Sequence, residues 1–152
     1  MLYTPEQRAR RDRTRWTLVQ GILAPAQFLV FLASLALVLR FLITGDGYAA
    51  ATVSVLLKTG VLYTIMVTGA IWEKVVFGQY LFAPAFFWED VFSMAVIALH
   101  TAYVVLVLTG ATPGLQMAVA LAAYAAYAVN AAQFLLKLRA ARRESAPAGV
   151  PA

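Results

Sequence analysis

Trp72-Glu73-Lys74-Val75-Val76-Phe77-Gly78-Gln79-Tyr80-Leu81-Phe82-Ala83-Pro84-Ala85-Phe86-Phe87-Trp88-Glu89-Asp90 separates two long apolar runs. It holds three of the seven acidic residues, two of the three tryptophans and four of the nine phenylalanines. A plain connector between membrane helices is short and polar. One rich in rings and bracketed by carboxylates reads as half-buried wall and chemistry together, with an apolar span on either side.

Composition gives the class. Of 152 residues, 62% are hydrophobic and 12% charged, against about 45–50% and about 25% in a soluble domain. Mean hydropathy is +0.78. This is the composition of an integral membrane protein of one domain. There is no cysteine and one histidine. Disulfides, thiolate catalysis, cysteine-ligated metal and a bis-histidine haem within one copy are therefore excluded. The net charge of +5 lies almost wholly in the two tails, so it reads as an orientation signal and not as a nucleic-acid surface.

Four spans follow from the apolar runs, at about 16–43, 48–72, 89–109 and 115–138, each long enough to cross the hydrocarbon. Before them, residues 1–15 form a basic surface segment. Thr4-Pro5-Glu6-Gln7 is a helix start, with Thr as N-cap and Pro at the first helical position. After them, residues 139–152 are basic and then Pro/Ala/Gly-rich, which predicts disorder at 145–152. Pro25 predicts a kink in the first span. Gln20 and Gln27 share a face that predicts an inward orientation, and Ala118, Ala122, Ala126 and Asn130 predict a small-residue packing face in the fourth.

Ten of the twelve Lys and Arg residues fall in the N-terminal tail, at Lys74 or at the C-terminal end. With four spans these regions share one side, and the positive-inside rule puts both termini and residues 72–90 in the cytoplasm. Trp16, Trp72 and Trp88 all fall at that side, where tryptophan favours the interface. The fold predicted is an all-α four-helix transmembrane bundle with both termini cytoplasmic.

The chemistry-bearing residues are few. Glu73, Glu89 and Asp90 flank aromatics at span ends, and a carboxylic acid kept protonated can serve as a general acid. Capping of the third span by Glu89-Asp90 is the structural alternative. Lys58 and His100 fall near mid-membrane, where ionisable residues are functional candidates by default. Lys58 snorkelling outward and a neutral, hydrogen-bonded His100 are the alternatives. As a ligand, His100 suits the axial position of a metal-centred macrocycle. It shares a face with Glu89 and lies about 16 Å from it at about 1.5 Å per residue, long for one flat ligand to bridge. Tyrosines 63, 103, 124 and 127 and Asn130 either line an interior cleft or pack.

Several runs together carry a resemblance. They are Leu2-Tyr3-Thr4-Pro5-Glu6-Gln7-Arg8, Arg15-Trp16-Thr17-Leu18-Val19-Gln20-Gly21-Ile22-Leu23-Ala24-Pro25, Ile71-Trp72-Glu73-Lys74-Val75-Val76-Phe77-Gly78, Phe82-Ala83-Pro84-Ala85-Phe86-Phe87-Trp88-Glu89-Asp90 and His100-Thr101-Ala102-Tyr103. With these the chain resembles the 3-vinyl bacteriochlorophyllide hydratases of bacteriochlorophyll biosynthesis. The resemblance covers nearly the whole chain, and the alanine-rich last span adds little to it.

The resemblance implies a hydro-lyase of photosynthetic bacteria, multi-pass in the inner or intracytoplasmic membrane. It implies addition of water across the C3 vinyl group of chlorophyllide a or a related bacteriochlorophyllide, giving a 1-hydroxyethyl group. Such an addition needs a protonated acid, a positioned water with a base, and a flat apolar slot. No cofactor or intrinsic metal is expected, the magnesium being carried by the substrate, with His100 as its candidate axial ligand. Glu73 or Glu89 is expected to protonate the vinyl carbon, and the other or Asp90 to orient the water. Phe77, Tyr80, Phe82, Phe86, Phe87 and Trp88 are expected to form much of the slot. Lys74 or Arg15 is expected to meet the free propionate, and Lys58 and Asn130 to join the binding residues. The expected partners are the chlorin, the lipid bilayer, a second copy and neighbouring pigment-biosynthesis enzymes, with no nucleic acid. A non-catalytic chlorin carrier or assembly factor is the rival reading. A small multidrug exporter would want a carboxylate within a span, and a quinone-binding anchor two histidines.

Overall fold

The computed structural model describes residues 1–145; the predicted disorder of 145–152 falls outside its described part apart from the backbone of Ser145. Five helices follow in order: α1 Pro5–Arg13, α2 Arg15–Thr44, α3 Tyr48–Phe77, α4 Phe87–Leu108 and α5 Pro113–Ser145, with one 3-10 turn at Pro84–Phe86. Among the described residues four helices are long and apolar enough to cross a membrane. Residues 139–145, expected in the tail, continue α5 as helix.

The helix ends follow local chemistry. Thr4 caps α1 in a reciprocal capping box with Gln7, satisfying two donors that a helix start leaves orphaned. Only Thr14, in extended conformation, stands between α1 and α2. Gly45 and Gly78 end α2 and α3 at φ 77° and 87°, a left-handed conformation that an added Cβ would oppose. α2 stays one helix through Pro25. α3 runs past Trp72 to Phe77, so Glu73, Lys74 and Phe77 belong to a helix and not to a connector.

α2 packs along α3, and α4 along α5. Inward polar groups tie the pairs. Gln20 donates to Thr68 Oγ1 at 2.6 Å, and Lys58 Nζ donates to Gln27 Oε1 at 3.0 Å, so the two glutamines do face inward. The main core holds Phe31, Val38, Val55, Leu62, Val96 and Tyr103 with Met117, Ala120, Ala123, Tyr124 and Tyr127 of α5.

The packing face of α5 differs from the expected alanine stripe. Ala118 and Ala122 are exposed, while Gln116, Ala120, Ala123, Tyr127 and Asn130 are buried. Four helical residues turn through about 400°, so a strict four-residue repeat drifts by about 40° at each step and winds off the contact. Alternating steps of three and four stay on it.

Candidate active site

The end of the bundle that receives the N-terminal segment is basic and aromatic. On it the last turns of α3 bring Trp72, Glu73, Val76 and Phe77. The 3-10 turn brings Phe86, the first turn of α4 brings Glu89 and Asp90, and α5 brings Asn130, Phe134 and Lys137. Tyr3, at 1% exposure, packs with them. Its ring stacks on Phe77 at 5.8 Å and 12°, and the Arg11 guanidinium lies over the Tyr3 ring, 4.7 Å from its centroid. Phe86 sits in the middle, 5.7 Å from Trp72, 5.9 Å from Phe77 and 5.8 Å from Phe134. Such ring pairs add about 0.5–1.5 kcal/mol each beyond area burial.

Beside this cluster the carboxyls of Glu73 and Asp90 lie within hydrogen-bonding reach of each other, and both residues are buried. Two buried carboxyls this close favour sharing a proton over carrying two like charges, which suits the pair to hold one carboxylic acid. The segment after Gly78 closes over them by its backbone. Phe82 N donates to Asp90 Oδ2 at 3.0 Å, and Ala83 N makes a long 3.5 Å contact to Glu73 Oε2. Phe82 stands at φ 62°, a conformation that costs a residue with a Cβ on the order of 1 kcal/mol. The Asp90 bond helps to hold it.

Glu89 points elsewhere. Its Oε1 pairs with Lys137 Nζ at 3.2 Å, and its buried Oε2 has no partner among the described residues. Lys137 also donates to Ala85 O at 2.7 Å. Asn130 donates to Glu89 O at 3.0 Å and accepts from Ser93 Oγ at 2.9 Å, so its amide locks α5 to α4.

The remaining expected residues divide by position. Phe77 and Phe86 lie within the aromatic cluster. Tyr80, Phe82, Phe87 and Trp88 are exposed, Trp88 at 71%, and three of them pair ring to ring at 6.0 Å (Phe82–Phe87) and 5.2 Å (Phe87–Trp88). The six aromatics therefore do not share one wall. Lys74 turns back on its own helix end, donating to Gly78 O at 3.0 Å and lying 5.5 Å from the Tyr80 ring. Arg15 is exposed. Lys58 and His100 lie deeper in the bundle and are fully enclosed. Lys58 Nζ stands 3.8 Å from the Tyr127 ring centroid. His100 Nδ1 bonds Val96 O at 2.8 Å, and its Nε2 has no partner among the described residues.

Tyr3, Phe134 and Lys137 are not among the residues singled out from sequence. Lys137 had a signal, since it continues the buried stripe of α5 seven residues beyond Asn130, two turns along the same face. Tyr3 had a weaker one, as a lone aromatic just before a helix cap in a polar tail. An open cleft of about 380 Å³ borders the cluster, with Leu2, Thr4 and Gln7 on one wall and Phe77, Ala85 and Lys137 on the other.

Comparison with known proteins gives the family. The family model described as 2-vinyl bacteriochlorophyllide hydratase matches residues 3–140. A protein of that name from Cereibacter sphaeroides is 77% identical over 141 residues, 93% of this chain and 88% of its own. Another from Rhodobacter capsulatus is 71% identical over 145 residues, 95% of this chain and 85% of its own. No solved structure matches. The match spans every element from α1 into α5, and the chain belongs to the 2-vinyl bacteriochlorophyllide hydratase family.

Proposed function

We propose that this chain is a hydro-lyase that adds water to the vinyl group of a bacteriochlorophyllide or chlorophyllide, in bacteriochlorophyll synthesis. The vinyl numbered 2 in the family name is position 3 when the whole macrocycle is numbered. Beyond family membership, the observation that carries the reading is the buried Glu73–Asp90 carboxyl pair beside the aromatic cluster.

The chemistry fits that pair. Glu73 gives its proton to the terminal vinyl carbon, and the C=C electron pair forms the new C–H bond. The positive charge left on the inner carbon delocalises into the macrocycle. Water attacks that carbon, and its proton passes to Asp90. The pair then shares one proton again, and the net change is one water added. Positioned acid–base groups of this kind contribute about 10²–10⁴ in rate. The backbone N–H of Phe82 holds the Asp90 carboxyl in place, and because the pair is buried the vinyl group and the water reach it only when the segment that covers it moves aside.

Glu89 has a different part. With Lys137 on one oxygen and Asn130 on its backbone carbonyl, it fixes α5 against the first turn of α4. This chemistry requires no cofactor, and the magnesium belongs to the substrate. His100 is enclosed on every side, and axial ligation there would require α4 to part from its neighbours. We place the reaction at the carboxyl pair. The basic end faces the cytoplasm of a bacterial inner membrane in this reading, supported by the Lys and Arg count.

The test is anaerobic incubation of membranes containing the protein with the vinyl chlorin free acid, followed by mass spectrometry. Hydration appears as a gain of one water with a blue-shifted red band, lost in Glu73→Gln. Tight pigment binding with no mass change in the wild type would replace the enzyme reading with that of a carrier.

A further inference from the structure

We infer that Lys137 is the anchor for the substrate's carboxylate, and that the strand of chain Ala83-Pro84-Ala85 sets the spacing between that anchor and the acid pair. The inference rests on the hydratase reading and adds to it the residue that selects a chlorin free acid.

The juxtaposition is specific. Ala83 N faces Glu73 Oε2 at one end of the short segment, and Lys137 Nζ bonds Ala85 O at the other. Three residues span at most about 10 Å of extended chain, and the 3-10 turn over the last two of them shortens that. The cation and the acid pair are therefore held at opposite ends of one rigid spacer, made stiff by Pro84 within the 3-10 turn. On a chlorin the vinyl and the propionate stand on neighbouring pyrrole rings, along one edge of the macrocycle. A ligand with its vinyl at Glu73 presents its carboxylate on the side of Lys137.

Lys137 is equipped for this. An ammonium group has three donors. One goes to Ala85 O and one to Glu89 Oε1. Its side chain is about one-third exposed, at 32%, and it borders the open cleft, so the third donor is available to a ligand there. The cations expected to do this work are placed otherwise. Lys74 is bonded to its own helix end. Glu89 opposes part of the Lys137 charge, but Arg10, Arg11 and Arg13 crowd the last turn of α1 at the same end, and their combined field favours an anion. Phe77 and Ala85 give the cleft apolar surface beside the cation, which suits a flat ring with one charged arm.

The experiment compares the chlorin free acid with its propionate methyl ester, in wild-type membranes and in Lys137→Gln and Lys137→Arg. Gln keeps a donor for Ala85 O and removes the charge. Wild type should show a KM about tenfold lower for the acid, as a charge-assisted hydrogen bond predicts. Lys137→Gln should abolish the preference, bringing the ester-to-acid KM ratio from about ten to about one, whatever loss both substrates share from the broken Glu89 bond. Lys137→Arg should keep the preference. A purely structural Lys137 would depress both substrates alike in Lys137→Gln and keep the preference, and that result overturns the inference. Equal handling of acid and ester by the wild type overturns it without any variant. Hydration of neither substrate by the wild type refutes the hydratase reading instead.

Discussion

Glu73, in the last turns of α3, and Asp90, in the first turn of α4, put their carboxyl groups within hydrogen-bonding reach of each other across the turn that joins the two helices. The contact is also where the turn itself is fastened, through Phe82 N and Ala83 N. The proposed acid and the segment that encloses it are therefore one structural unit.

Removing either acid should remove the proton donor or its partner and leave the pigment bound. Glu73→Gln and Asp90→Asn should each lower kcat by about 10²–10⁴, while the red absorption band of bound chlorin persists. Because the two act as one group, the double variant should be little slower than the worse single one. Stopped-flow hydration rates and pigment titration of the same membranes check this. Additive losses would mean that the two carboxyls work separately.

Glu89→Gln should behave in the opposite way. Its carboxylate is tied to Lys137 at 3.2 Å, away from the acid pair. We expect kcat within about tenfold of wild type, with stability lower by about 1–3 kcal/mol from the broken charged bond. The partly exposed Lys137 turns to solvent and limits the cost. Thermal unfolding in detergent, run beside the rate assay, separates the two effects. A loss of rate matching that of Glu73→Gln, with Tm unchanged, would put Glu89 in the reaction.

Tyr3 should govern how firmly the N-terminal segment is held. α1 buries none of its own residues, and its ties to the bundle are few: Arg10 Nε to Val76 O at 3.0 Å, Thr17 Oγ1 to Arg11 O at 2.6 Å, and Leu2 N to Glu144 at 2.9 Å. Deleting a buried ring costs about 3–5 kcal/mol, here charged to local undocking and not to the bundle. Tyr3→Ala should therefore speed tryptic cleavage in α1 by about tenfold or more, with little change in global Tm. Tyr3→Phe should cleave as wild type. Unchanged proteolysis in Tyr3→Ala would show that the backbone and arginine ties suffice.

Much of this was legible in the chain. Hydropathy gave four long apolar helices, but the apolar run puts the end of the second at about 72, and the structure carries it on to Phe77 with Gly78 as its cap. The helix start at Thr4 formed as read, with Thr4 as N-cap and Pro5 at the first position. The partition of the acidic residues was not legible. Glu89 and Asp90 are adjacent, which suggests a shared task. Adjacent helical residues point about 100° apart, so Asp90 turns to α3 and Glu89 turns to α5. Which neighbour each meets depends on how the helices pack, and periodicity is silent on that. The α5 face was misplaced for a related reason, since a repeat of alanines every four residues looks like a seam and drifts off it. Tyr3 was hidden in a polar tail, because its burial is conferred by Phe77 and Phe86 from far along the sequence.

The enclosed polar group deeper in the bundle gives the last prediction. Lys58 donates to Gln27 and stands over Tyr127, and among the described residues no carboxylate is within ion-pair distance of it. Intramembrane cations are functional by default, but this one is fully enclosed and has no carboxylate beside it among the described residues. An apolar side chain of similar length removes the cost of burying the ammonium but leaves Gln27 Oε1 without its donor, a loss of about 1–3 kcal/mol. Lys58→Met should then keep the hydration rate within about threefold and shift Tm only modestly. His100→Gln should likewise leave the red band of bound chlorin in place, because the ring is enclosed and its Nδ1 is already engaged by Val96 O. A shifted band with lost turnover in His100→Gln would instead put the substrate's magnesium at that ring. The chlorin would then have to stand steeply in the bundle to reach both His100 and the carboxyl pair, and Lys137 would lose its claim on the carboxylate.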